Sequence, residues 1–202
     1  MKKSSLALTR VYVATLLWGG LCSLGHAANP ATAYVGVGGG TTRFGYTSST
    51  CSDQLGYCSL SSTDSNFRIF AGYNVTSNIA LELAYDDFGK ITGTAYSYGL
   101  PGTLSETNTA ADFSIIGKLP LAPKFFLTGR FGDFASNVSA NANVYGYSAS
   151  ESSHTSNLFA GVGVGYDFTP HIEGKLEFTH YNKAGDSGSN IDTGTASLAY
   201  NF

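Results

Sequence analysis

Residues 194–202 read GTASLAYNF. Alternate positions, Gly194, Ala196, Leu198, Tyr200 and Phe202, are apolar or small, while Thr195, Ser197, Ala199 and Asn201 between them are small or polar. A period of two marks a strand whose two faces meet different surroundings. A soluble domain usually lets its last residues fray into water. A strand ending on an aromatic suits a membrane β-barrel, where the outward face meets lipid and the inward face a polar lumen, and pairing with the first strand removes both sheet edges. The expected fold is therefore all-β: an eight-stranded antiparallel transmembrane β-barrel, an up-and-down meander.

Working back from that end, seven more segments alternate in the same way. Residues 172–181 set Ile172, Leu176 and Phe178 against Glu173, Lys175, Glu177 and Tyr181, and residues 157–168 set Leu158, Ala160, Val162, Val164, Tyr166 and Phe168 against mostly glycine. Residues 124–132, 109–119, 79–88 and 66–74 repeat the pattern, with Phe125 and Leu127, Phe113 and Ile115, Leu81 and Leu83, and Phe67 and Ile69 outward. The first segment, residues 33–46, points Val35 and Val37 outward, but Arg43 then falls on the valine side and predicts a bulge. About ten residues suffice for a tilted strand to cross the hydrocarbon. The connections alternate long and short, as extracellular loops and periplasmic turns do. A soluble sandwich would not sort its connections by length so regularly, nor keep one aromatic-rich face almost free of charge.

The remaining composition agrees. Charged residues make up 12% of the chain and aromatics 13%, and 25 glycines accompany abundant Ser, Thr and Asn, a mixture poor in helix formers. Residues 1–27 read as a secretory signal, with Lys2 and Lys3, then an apolar run, then small residues before a cut after Ala27; residues 28–202 would form the barrel domain. The apolar run is too short and too broken by Gly19 and Gly20 for a membrane anchor. Removing the leader leaves 8 basic and 14 acidic residues, a formal charge of −6, so no basic field exists to attract nucleic acid. The Gly36–Gly40 and Gly161–Gly165 runs lack the third glycine of a dinucleotide loop and read as strand glycines. No cofactor is expected.

Charges within the strands fall opposite the aromatics: Arg68, Glu82, Asp112, Lys118, Arg130, Asp167, Glu173, Lys175 and Glu177. Turned to lipid at mid-depth, each would cost roughly 2–4 kcal/mol. An eight-stranded barrel is just wide enough to be filled by side chains, so these residues are expected to pair as a lumenal ionic core centred on Arg130 and Glu82, with Arg68 and Glu177 nearby. A structural salt-bridge core is the plainer reading, and a narrow ion-conducting pore the sharper one. Cys51 and Cys58 in the first long connection form an even pair in an oxidising compartment, which predicts a disulfide. No histidine has the spacing for a metal site with them. Long connections at residues 89–108, 133–156 and 182–191, rich in Ser, Thr, Asn, Gly and Tyr, are expected to be exposed loops where a host or cell-surface ligand would bind.

The stretches GYNVTSNIALELAYDDFG (Gly72 to Gly89), GVGVGYDFTPHIEGKLEFTHY (Gly161 to Tyr181) and the terminal TASLAYNF resemble the outer-membrane protein A-like transmembrane barrel family. That resemblance implies an integral protein of the Gram-negative outer membrane, in contact with outer-membrane lipid and lipopolysaccharide, monomeric and non-enzymatic. It also implies assembly by the outer-membrane barrel machinery, which reads a terminal aromatic; here Phe202, with Tyr200 and Leu198, would supply that signal. Because the sequence ends with the barrel, small barrel-only relatives are the nearer comparison, and no peptidoglycan-binding domain is expected. From another class, His180, Tyr181, Asn182, Ala184 and Gly185 are similar to the histidine motif of the lipid A deacylase barrels. That family places a serine nucleophile two residues after the histidine, where this chain has Asn182, and an amide cannot make the attack.

Overall fold

The computed structural model describes residues 32–45, 57–97, 100–144, 147–184 and 189–202. The expected leader and Cys51 lie outside these residues, as does the side chain of Cys58. The described strands are β1 (Ala33–Phe44), β2 (Tyr57–Leu60), β3 (Thr63–Asn74), β4 (Ile79–Ser97), β5 (Leu100–Pro120), β6 (Phe125–Val144), β7 (Tyr147–Asp167), β8 (Ile172–Tyr181) and β9 (Ile191–Asn201). Eight of them form a closed antiparallel barrel in which β1, β3, β4, β5, β6, β7, β8 and β9 follow one another around the wall. Closure comes from β1 and β9, in continuous register from Tyr34↔Asn201 to Phe44↔Ile191. Phe202 extends it, its backbone N–H donating to the Ala33 carbonyl at 3.0 Å. Among the described residues, the short β2 pairs with the upper part of β4 alone, from Tyr57↔Tyr96 to Leu60↔Gly93.

The alternation read from the sequence sorts the two faces. Val37, Leu83, Ile115, Phe131, Val162, Leu176 and Leu198 all face outward and are exposed. Two of the periplasmic turns use the same device. The Thr76 hydroxyl accepts the backbone N–H groups of Asn78 and Ile79, and the Thr169 hydroxyl those of His171 and Ile172, at 3.0–3.2 Å. Threonine does here what Asx-type side chains do in turns, supplying an acceptor where the chain reverses.

The structure differs from the sequence reading in three places. First, β1 contains no bulge: its pairing with β3 is unbroken from Ala33↔Tyr73 to Arg43↔Thr63. Arg43 faces outward and is tolerated because it stands at the extracellular end of the strand, where the cost of a lipid-facing charge falls toward zero. Second, the bulge is in β4, where the register shifts between Asp87 and Lys90. Gly89 takes φ +83° there, a conformation that suits glycine alone. The Asp64 carboxylate accepts the freed Lys90 N–H at 2.6 Å, and the inward set passes from Phe88 to Ile91. Third, the connections expected at residues 89–108 and 133–156 are mostly strand. β4 to β7 run 19, 21, 20 and 21 residues, about twice what spans hydrocarbon, so they continue as hairpins beyond the membrane.

The lumen is filled in layers. Tyr34, Phe70, Ala80, Ile116 and Ala199 pack at the periplasmic end. Phe44, Phe88, Ile91, Ala110, Phe134, Phe159, Tyr181, Ala184 and Ile191 pack at the extracellular end. In the upper layer Phe159 stacks on Tyr181 at 5.0 Å, and Phe88 and Phe134 meet Tyr181 edge-on at 4.8 and 5.3 Å. Strand glycines opposite the lower rings provide the room: a Cβ at Gly36 would lie 2.2 Å from the Phe70 ring, and one at Gly165 2.0 Å from Phe126.

Candidate functional site

Between the two apolar layers lies one connected ionic lattice. Parity places its members: Arg68 on β3, Glu82 and Asp86 on β4, Asp112 and Lys118 on β5, Arg130 on β6, and Glu173, Lys175 and Glu177 on β8 all fall on inward positions of their strands. Glu82, with its side chain fully enclosed, is the hub. Its Oε1 meets Arg68 Nη2 at 3.1 Å and Arg130 Nη2 at close range, while its Oε2 accepts from the Tyr34 hydroxyl at 2.9 Å and faces Lys175 Nζ at 3.6 Å. Arg68 also reaches Asp86 at 2.7 Å and Asp112 at 2.9 Å, and donates to the Tyr181 hydroxyl at 3.3 Å. Arg130 pairs with Glu177 at 3.1 Å. Toward the periplasmic end Lys118 meets Glu173 at 2.7 Å, and Lys175 stands 3.9 Å from the same carboxylate.

Aromatic faces flank the cations as well: Lys175 Nζ is 4.8 Å from the Phe70 ring centre and Lys118 Nζ 5.3 Å from that of Phe126. In a medium that excludes water an unpaired charge is far costlier than a paired one, so a lattice in which each carboxylate meets a cation is what permits ionic residues here at all. Chemically, the arrangement cross-links five strands through the barrel axis, between an aromatic layer above and one below.

Eight of the nine charges singled out from the sequence for the lumen therefore meet in one network, and Asp167 does not join it. Asp167 lies half-buried toward the periplasmic end, outside the ion pairs. The sequence list omitted Asp86 and the Tyr34 hydroxyl, although both were marked by parity: Asp86 continues the Glu82 alternation, and Tyr34 precedes outward Val35. Leu198, Tyr200 and Phe202 face outward and exposed, with Tyr200 edge-on to Phe202 at 5.4 Å and stacked on His171. His180 also faces outward, its Nδ1 2.5 Å from Asp192 Oδ1, whereas Tyr181 beside it is buried in the lumen. Among the described residues no group of His, Cys, Asp and Glu has the arrangement of a metal site.

An apolar skin around a closed strand cylinder with its charges confined inside defines an integral β-barrel protein of the Gram-negative outer membrane. The chain belongs to the OmpA-like transmembrane domain family, whose model matches residues 28–202. It is 29% identical over 141 residues to Outer membrane protein A of Escherichia coli O157:H7, across 66% of this chain and 37% of that protein, so it spans well under half the length of this relative. Among solved structures it is similar to Ail, the attachment invasion locus protein of Yersinia pestis, with a TM-score of 0.57 and 14% identity over 86% of this chain and 100% of that one. A second Ail structure, in complex with the heparin analogue sucrose octasulfate, gives 0.55 and 14% over the same shares. At such identities the likeness is one of fold.

Proposed function

We propose that this chain is a non-enzymatic, non-conducting outer-membrane barrel that holds an extracellular β-platform for surface contacts, in adhesion or in envelope integrity. The observation that carries this reading is the doubled length of β4 to β7. Strands that only had to cross lipid would stop near ten residues. Here four neighbours continue in register, β6 with β7 as far as Val144↔Tyr147. Because β7 pairs with β8 only over Phe159–Asp167, no described strand covers the outer edge of residues 147–157. Open strand edges bind extended segments of partners through backbone hydrogen bonds.

The chemistry of the platform narrows the partner class. Residues 89–108 and 133–156 contain Lys90 as their one lysine or arginine, against Glu106, Asp133 and Glu151. The Ail complex contains a densely sulfated ligand; this surface has no cationic cluster for one, and its Ser, Thr, Asn and Tyr side chains suit an uncharged glycan or a protein. The test compares cells displaying the full chain with cells displaying a variant in which residues 94–103 are replaced by Asn-Gly, measuring attachment to immobilised host-matrix protein and neutral glycan arrays. Attachment is expected to drop in the variant while heat-modifiable mobility stays unchanged. Equal attachment, or attachment competed by sucrose octasulfate, contradicts the reading.

A further inference from the structure

The lumenal lattice is one positive charge short. Its cations are Arg68, Lys118, Arg130 and Lys175, and its carboxylates are Glu82, Asp86, Asp112, Glu173 and Glu177, four against five. Residues 28–202 supply no fifth cation to it. They contain eight lysines and arginines, and the four outside the lattice, Arg43, Lys90, Lys124 and Lys183, are all exposed. Their three histidines, His154, His171 and His180, are exposed as well. Glu106 above the lattice and Asp167 below it only add negative charge.

The excess falls on one pair of side chains. Glu82 meets three cations and the Tyr34 hydroxyl. Glu173 meets two lysines, and Glu177 has Arg130 together with the Thr179 hydroxyl. Asp86 and Asp112 have Arg68 alone, and Arg68 is shared with Glu82 as well. Both aspartates converge on one nitrogen, Arg68 Nη1, at 2.7 and 2.9 Å, with 5% and 3% of their surface exposed. Around them stand Arg68 from β3, Glu82 from β4, Arg130 from β6 and, from β8, Tyr181, whose hydroxyl donates to Asp86 at 3.4 Å. Two carboxylates crowded onto one cation away from water repel each other. A proton held between them converts that repulsion into a short, charge-assisted hydrogen bond.

We propose that Asp86 and Asp112 form a proton-binding site, with one proton shared between the two carboxyl groups, and that this proton brings the lattice to neutrality. In the unfolded chain, at neutral pH, both aspartates are ionised by water. Unfolding therefore releases the proton. The native state binds more protons than the unfolded one, so stability falls as pH rises from neutral, and the unfolding constant grows about tenfold per pH unit until the pair ionises within the folded barrel. Asp86 stands next to the β4 bulge that begins at Asp87, so the charge that alkali leaves behind lies where the shaft meets the hairpin extension.

The full chain, refolded in detergent with and without carbon-13 in its aspartate carboxyl groups, is examined by infrared spectroscopy at neutral pH. A carboxylic-acid carbonyl band that moves with the label is expected in the parent. It is expected to vanish in Asp86→Asn and in Asp112→Asn, since either leaves a single carboxylate facing Arg68. Asparagine keeps the shape of a protonated aspartate and its ability to donate, so both variants should retain heat-modifiable mobility. Urea unfolding then reads the linkage: relative to Asp86→Asn, the parent's unfolding constant should rise about tenfold per pH unit from neutral into mild alkali. A parent without a label-sensitive acid band overturns the site, and that measurement requires no variant to fold. So do equal pH slopes in parent and variant, or a parent made more stable by sodium than by choline at the same ionic strength, which would put an alkali cation in the proton's place.

Discussion

The wall of this barrel is lopsided. β1, β3, β8 and β9 run 10–12 residues and stop near the membrane surface, whereas β4 to β7 run 19–21 and rise beyond it. In the lower shaft lipid on one side and a packed lumen on the other impose a strict alternation. In the upper extension water meets much of the sheet, and pairing rests on the hairpin ladder. The same chain thus obeys two sets of constraints, separated at about the level of the β4 bulge and the inward-turned Ala184.

The largest effect should come from the hub of the shaft. Glu82→Ala would leave Arg68, Arg130 and Lys175 each short of a partner, and removing one side of a buried pair costs about 3–5 kcal/mol; urea unfolding of the refolded barrel, followed by heat-modifiable mobility, should show at least that loss. Next, Val162→Arg places a charge on the central outward face and should cost roughly 2–4 kcal/mol in the same assay. At the boundary, Asn108 and Ser136 both donate to the Ala184 carbonyl at 3.1 Å. Replacing both with alanine strands a buried acceptor and should cost about 1–3 kcal/mol. Smallest of all, Thr94→Arg on the exposed extension should change stability by no more than about 0.5 kcal/mol. A Thr94→Arg penalty as large as that of Val162→Arg would mean that lipid reaches the extension and that the division is misplaced.

That division also explains what could be read in advance. Parity alone assigned Arg68, Glu82, Asp112 and Arg130 to the inside, because a one-residue slip would turn each of them into lipid. The extension reads as loops in the sequence because Ser, Thr, Asn and Gly on water-facing strands carry little apolar pattern to betray the period. The β4 bulge is not legible from Asp86, Asp87, Phe88 and Gly89 alone, since the glycine signals a left-handed residue only once its neighbours' pairing is known. Within the site, membership followed from the local pattern. Partnership did not: Lys118 on β5 meets Glu173 on β8 across the lumen, and barrel shear, which no single strand encodes, sets which heights face one another.

Closure of the shaft is the claim on which the lumenal lattice, the apolar skin and the platform all depend. In a chain whose Cys51 and Cys58 are changed to serine, Val37→Cys and Leu198→Cys place thiols on register partners of β1 and β9, at the 4.5–5.5 Å Cα separations typical of antiparallel pairs, within the range a disulfide spans. Oxidation in isolated outer membranes should link them within one chain. Failure to link, while Val37→Cys with Ile69→Cys across β1 and β3 links readily, would contradict a closed barrel.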